Sequence, residues 1–132
     1  MAGGVSNMTG DSLLGGAQVL IVEDEFLLAD DIARALRRAG GEPLGPVSTI
    51  SEAQKLVGVH AVDAAIIDVN LHGEMASEFI SQLAATGLPC LIVSGYAGDA
   101  LPEALSQIPR LEKPVSAASV IQALAKELAR AG

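Results

Sequence analysis

The chain has 132 residues, half of them apolar and 18% charged, which is length for one domain and material for one core, and excludes both a disordered polymer and a two-domain arrangement. Sixteen acidic against eight basic residues give a net charge of −8, with no Trp, one Tyr and two Phe; such a chain repels phosphate backbones and has no aromatic platform for bases, which excludes nucleic acid as a direct partner. No apolar run reaches the roughly 18 residues of a membrane span, the start lacks a signal-peptide pattern, and one cysteine, Cys90, excludes an internal disulfide, so the expectation is a cytoplasmic protein.

Residues 1–16, rich in Gly, Ser and other small residues, are expected to form a disordered leader, with one domain over 17–132. Residues 17–22 (AQVLIV) predict the first strand. Residues 26–39 predict a helix whose Leu28, Ala29, Ile32, Ala33 and Leu36 keep an i, i+3, i+4 spacing up to the stop at Gly40-Gly41. A weaker strand follows at 43–47 (PLGPV). A second helix opens at Thr49-x-x-Glu52 or Ser51-x-x-Gln54, either of which can form a capping box. Residues 64–69 (AAIIDV) predict a strand buried on both faces. The third helix carries Met75, Phe79, Ile80 and Leu83 on one side and ends near Gly87. Residues 90–94 (CLIVS) predict another buried strand, and Cys90 within it is inert core. A fourth helix carries Leu101, Ala104, Leu105 and Ile108, with Pro102 in its first turn. A short polar strand at 110–113 suits a sheet edge, and a last helix over 117–131, capped by Ser116, buries Val120, Ile121, Leu124 and Leu128. This alternation predicts an α/β fold: a flavodoxin-like (βα)5 doubly wound parallel sheet with strand order 2-1-3-4-5.

In open sheets of that kind ligands bind beyond the carboxyl ends of the strands, at the switch point. Glu23 and Asp24 follow the first strand, Asp68 closes the third, Ser94 the fourth, and Lys113 the fifth, just before Pro114. Singly, each has an ordinary reading as a turn, cap or solvated helix start. Together, three carboxylates converge in one crevice and need compensating positive charge. A magnesium ion, Mg2+, takes one or two carboxylates, a carbonyl and waters, and leaves places for phosphate oxygens. Lys113 adds a fixed cation and Ser94 a hydroxyl donor. The set describes a phosphoryl-transfer site with Asp68 as nucleophile.

The stretches VLIVED, AAIIDVNL, LIVSGY and LEKP resemble the receiver domain of two-component response regulators over residues 17–130. The resemblance implies that Asp68 is the phosphoacceptor, that Glu23 and Asp24 are the acidic pair, and that Ser94 and Lys113 contact the phosphoryl group. It further implies that the main-chain carbonyl of Asn70 joins Glu23, Asp24 and Asp68 around Mg2+. The stretch from Gly87 is similar to single-domain receivers with a FATGUY-type motif, although Ile92, Val93 and Ser94 stand for its first three letters. Arg110 stands where the family usually has a switch aromatic, which makes Tyr96 a candidate replacement. His72, four residues past Asp68, reads as an ordinary exposed loop histidine, and His60 as the end of the second helix. Leu27 falls on the polar arc of the first helix and marks a candidate docking surface.

The function so implied is a stand-alone response regulator that accepts a phosphoryl group from a histidine kinase or histidine phosphotransfer protein and signals through protein contacts, as a monomer or weak dimer. It is not an enzyme beyond its own phosphorylation. Two other classes compete. A haloacid-dehalogenase-type phosphatase would need Asp-x-Asp on the first strand, whereas this chain reads Asp68-Val69-Asn70 on the third. A receiver-like interaction module that is never phosphorylated would not need the intact set of five residues.

Overall fold

Residues 13–95 and 101–131 are described in the computed structural model. They form β1 (Gln18–Val22), α1 (Phe26–Arg38), β2 (Glu42–Val47), α2 (Ile50–Val59), β3 (Ala64–Asp68), α3 (Ser77–Ala85), β4 (Cys90–Ser94), β5 (Arg110–Glu112) and α4 (Ala117–Ala131). The sheet order is β2-β1-β3-β4-β5 with every pairing parallel, which is the flavodoxin-like order that the sequence predicts.

Alternation along the buried strands splits the core in two. Val19, Ile21, Ile66, Leu91 and Val93 point to one face, where α1 brings Ile32 and Leu36 and α4 brings Val120, Ile121 and Leu124. Leu20, Val22, Ile67 and Ile92 point to the other, against Ala53 of α2 and Phe79, Ile80 and Leu83 of α3. Each large aliphatic side chain buried this way contributes about 1.5–3 kcal/mol of transfer free energy. With apolar contacts on both faces, polar groups of the central strands have one place left, the strand ends.

Local chemistry sets the element limits. Thr49 Oγ1 accepts the Glu52 N–H at 3.1 Å, and Glu52 Oε1 accepts from the Ser48 N–H at 3.2 Å, so the first of the two candidate capping boxes forms. His60 is the C-cap of α2. The Ser116 hydroxyl accepts the Ser119 N–H at 3.1 Å at the start of α4. In β2 the register slips by one residue against β1 between Leu20 and Val22. Gly45 occupies the slip with φ of 98°, and a Cβ there would meet Val47 N at 2.8 Å and Ile21 O at 2.9 Å. Only glycine fits this bulge.

Three expectations are corrected. Residues 13–16 do not lie outside the fold: Leu14 is 5% exposed in the core beside Leu36, and the Leu14 and Gly16 N–H groups donate to Ala39 O and Gly40 O at 2.9 and 2.7 Å. The Gly15-Gly16 pair that follows this leucine masks it in sequence. Met75 does not belong to α3; it pairs with Asn70 in a short antiparallel ladder of Asn70–Leu71 with Glu74–Met75 and is 43% exposed. The Ala76 N–H donates to Val69 O at 2.8 Å, which ties the end of this ladder to β3, and α3 starts only at Ser77. The fourth helix is, among the described residues, a single 3-10 turn at Glu103–Leu105. Pro102 has ψ of 148°, which is not helical, and Pro109 disfavours helical geometry at Ile108.

Leu14 gives a test of where the folded unit starts. Leu14→Ala should lower the unfolding free energy by about 2–3 kcal/mol in urea titrations, and removal of residues 1–16 should lower it at least as much. Removal without effect would restore the boundary at Ala17.

Candidate functional site

Among the described residues, the buried polar and charged side chains are Glu23, Asp68, Ser94 and Lys113. They stand at the carboxyl ends of β1, β3, β4 and β5. A buried charge is costly unless paired and hydrogen-bonded, and the pairing here is dense. Lys113 Nζ donates to Asp68 Oδ2 at 2.9 Å, to Glu23 Oε2 at 2.9 Å and to Glu25 Oε2. The Lys113 main-chain N–H donates to Ser94 O at 2.9 Å, which ties the lysine to the end of β4.

Backbone amides fix the carboxylates. Asp68 Oδ1 accepts the Asn70 N–H at 2.9 Å, and Glu23 Oε2 accepts the Glu25 N–H at 2.9 Å. Glu23 itself is placed through its N–H, which donates to Val47 O at 2.9 Å, just past the bulge in β2. Carboxylate oxygens of Glu23, Asp24 and Asp68 come within 4.8 Å of one another. Asn70 Oδ1 accepts the Gly73 N–H at 2.7 Å and shapes the loop above them. In that loop His72 adopts a left-handed φ of 52°, and its Nδ1 lies 3.0 Å from Asp24 Oδ2.

The electrostatics are unbalanced. Three carboxylates, those of Glu23, Glu25 and Asp68, contact one ammonium, and a fourth, that of Asp24, lies in the same cluster. Burial pushes the Glu23 carboxyl up to about 7, the nearby Asp68 charge adds to the rise, and hydrogen bonds from Lys113 and the Glu25 N–H oppose it. Glu23 Oε1 is buried with no hydrogen-bond partner. Burial alone would lower the Lys113 pKa, but hydrogen bonds to Glu25, Glu23 and Asp68 outweigh it and hold the ammonium above its ordinary value. A crevice of about 300 Å³ opens above, with Asp68 and Lys113 lining it together with Asp24, Glu25, Asn70 and His72. It has the room for a small anionic group, and its donor set is made of hard oxygens lacking positive charge.

The sequence-predicted residues Asp24, Asp68, Asn70 and Lys113 thus line one crevice, Glu23 is hydrogen-bonded to Lys113 beside them, and Ser94 lies at the neighbouring strand end, one residue beyond the partner of Asp68 in the register of β3 and β4. Tyr96 lies outside the described residues. Three participants were not foreseen. Glu25 reads in sequence as a solvated helix start, yet it reaches back to Lys113. His72 is exposed as expected but is paired with Asp24 through a left-handed loop that sequence spacing does not reveal. Arg110 Nε donates to Ser94 Oγ at 3.1 Å. The parallel pairing of β4 with β5, together with side-chain alternation, is the signal that could have found this last contact. Cys90 is buried, and burial pushes its thiol up to about 11, which fits an inert core residue.

No protein-family model matches the chain. The transcriptional regulatory protein PdtaR of Mycobacterium tuberculosis is 29% identical over 117 residues, covering 86% of this chain and 57% of that protein, so the chain spans little more than half of this curated relative. The solution structure of SdrG from Sphingomonas melonis Fr1 is similar at 36% identity and a TM-score of 0.74, over 86% of this chain and 97% of the other. The receiver domain of the TMAO respiratory system response regulator TorR superposes with a TM-score of 0.77 at 17% identity, over 88% and 99% of the two chains, a likeness of fold alone. No helix among the described residues is long and apolar enough to cross a membrane. The fold with its strand order, and the identity to SdrG over nearly all of both chains, lead to one conclusion: the chain belongs to the receiver domains of two-component response regulators.

Proposed function

We propose that Asp68 accepts a phosphoryl group, in a Mg2+-dependent reaction, from a histidine kinase or histidine phosphotransfer protein, and that the phosphorylated chain signals through protein–protein contacts. The single observation that carries this reading is the state of Asp68: a buried carboxylate at the floor of an open crevice, held on one oxygen by Lys113 and on the other by the Asn70 N–H. In the transfer, an Asp68 oxygen forms a bond to phosphorus while the bond from phosphorus to the donor histidine nitrogen breaks, and that nitrogen keeps the electron pair. The product is an acyl phosphate.

The remaining residues follow from charge. Lys113, already against Asp68 Oδ2, faces the added negative charge. Ser94 donates its hydroxyl to a phosphoryl oxygen. Glu23, Asp24 and Asp68, with the Asn70 main-chain carbonyl, are the group that would hold Mg2+. The unpartnered Glu23 oxygen and the four-to-one excess of carboxylates fit a hard divalent cation. When bound, the ion supplies charge neutralisation for the transferring group. Leu27 is 76% exposed beside Phe26 at the start of α1, two residues past Glu25. It is the proposed contact for the protein donor, a role that would return the burial it forgoes in the free chain.

Intact mass after incubation with acetyl phosphate and Mg2+ tests the central claim. The wild type should gain one phosphoryl group and Asp68→Asn none; an acyl phosphate found on another residue of the wild type would exclude Asp68. For the docking surface, Leu27→Asp should keep near-normal uptake from acetyl phosphate and lose roughly tenfold or more in rate from a protein donor, in line with one buried leucine. Equal rates from the protein donor would place docking elsewhere.

Glu23 provides a test that needs no phosphodonor. Its folded pKa, about 7, lies above the ordinary 4.5, so between those values the native state binds more protons than the unfolded chain. The resulting stability is complete below about 4.5 and is lost as pH rises through about 7. In chelator-treated buffer, the unfolding free energy of the wild type should therefore fall over this window relative to Glu23→Gln, by an amount on the order of 3 kcal/mol. Parallel curves for the two proteins would contradict a raised Glu23.

A further inference from the structure

We propose that Arg110 is a positioning residue that aims the Ser94 hydroxyl at the phosphoryl group and strengthens it as a donor. The proposal rests on the reading of Asp68 as phosphoacceptor. In the register of β4 and β5, Ile92 pairs with Arg110 and Ser94 with Glu112. Ile92 and Ser94 share one face of β4, and Arg110 and Glu112 share the corresponding face of β5. The Arg110 side chain thus runs along the sheet toward the strand end, where its Nε is 3.1 Å from Ser94 Oγ. Ser94 is fully buried, whereas the Arg110 side chain is 29% exposed. Arg110 Nη2 lies 3.5 Å from the Glu112 carboxylate two residues along, which orients the guanidinium.

The direction of this hydrogen bond has a chemical consequence. A guanidinium has donors and no acceptor, so the Nε–H donates and Oγ accepts. One lone pair of Oγ is then occupied. The hydroxyl's own proton cannot face the guanidinium, where two protons would oppose each other, and it turns to another side. Ser94 stands one residue past Val93, which pairs with Asp68, so residue 94 closes β4 beside the strand end that carries the acceptor. The Ser94 carbonyl is already tied to the Lys113 N–H. A cationic donor on Oγ also polarises the O–H bond and makes it a stronger donor to an anionic oxygen. Arg110 touches neither the phosphoryl group nor Asp68 in this scheme; it acts through Ser94.

A double-mutant cycle on the full chain tests this. Beryllofluoride, a phosphoryl mimic, is titrated in the presence of Mg2+ and followed by NMR for the wild type, R110M, S94A and the double variant. R110M keeps the aliphatic stem and removes the donors. It should weaken beryllofluoride binding roughly 2- to 10-fold, the scale of one hydrogen bond. In the S94A background R110M should change nothing further. R110Q, which restores an N–H donor, should recover part of the loss, and R110L, which also removes the donors, replaces R110M in the cycle if R110M lowers the unfolding midpoint. Equal weakening in both backgrounds would overturn the assignment, because a structural role does not require the hydroxyl; unchanged binding in R110M would overturn it as well. A wild type that takes up neither beryllofluoride nor a phosphoryl group overturns the phosphoacceptor reading itself, whereas normal loading of the wild type confines the failure to Arg110.

Discussion

The crevice depends on one ammonium. Lys113 Nζ reaches carboxylates from the ends of β1 and β3, and Glu25 at the start of α1, and without it these negative charges would face one another in partial burial. Its reach follows from the sheet, because β5 ends beside β4 and the Lys113 N–H is fixed to Ser94 O. Burial of such a cluster is not a source of stability in itself, since desolvation offsets most of the Coulomb attraction. The arrangement concentrates unsatisfied negative charge around a single cation and so favours the arrival of further positive charge.

The sheet supplies the geometry for this. Two apolar clusters cover both faces of the central strands, so a polar side chain cannot be accommodated in mid-strand without losing core packing. The strand ends remain, and the order β2-β1-β3-β4-β5 gathers those of β1 and β3 as neighbours. The edge strand takes part as well. Its bulge at Gly45 puts one more residue into β2, which brings the Val47 carbonyl opposite the Glu23 N–H. A feature at the sheet edge thereby sets the height of a carboxylate at its centre.

The fold was legible wherever a single period dominated. The runs at β1, β3 and β4 are apolar apart from Gln18 and the residues that end them, and those end residues, Asp68 and Ser94 among them, follow from counting along the chain. Legibility failed where two signals overlapped. Met75 fits the helical spacing of Phe79 and Leu83, but the backbone pairing of Asn70 with Met75 holds it out of α3. Leu105 fits a helix too, and it is buried, but the extended Pro102 on one side and Pro109 on the other bound the segment, and among the described residues only one turn forms. Leu14 and its neighbour Leu13 form a two-residue apolar pair in a glycine-rich stretch, too short for a period to be read. In the site, contacts that run along strand ends were readable, whereas those of Glu25 and His72 depend on side-chain reach and on a left-handed loop residue.

The three carboxylates on Lys113 differ in their access to water. Those of Glu23 and Asp68 are almost wholly enclosed, while the Glu25 side chain is 44% exposed. Dissolved ions screen the exposed pair far more than the enclosed ones. The lysine therefore has two permanent ligands and one exchangeable ligand. An incoming anion can take the place of Glu25 without uncovering Lys113, and Glu25 moves into water that solvates it well. Exchange of this kind leaves the ammonium continuously satisfied, so the crevice can admit and release a charged guest while the inner pairings stay intact.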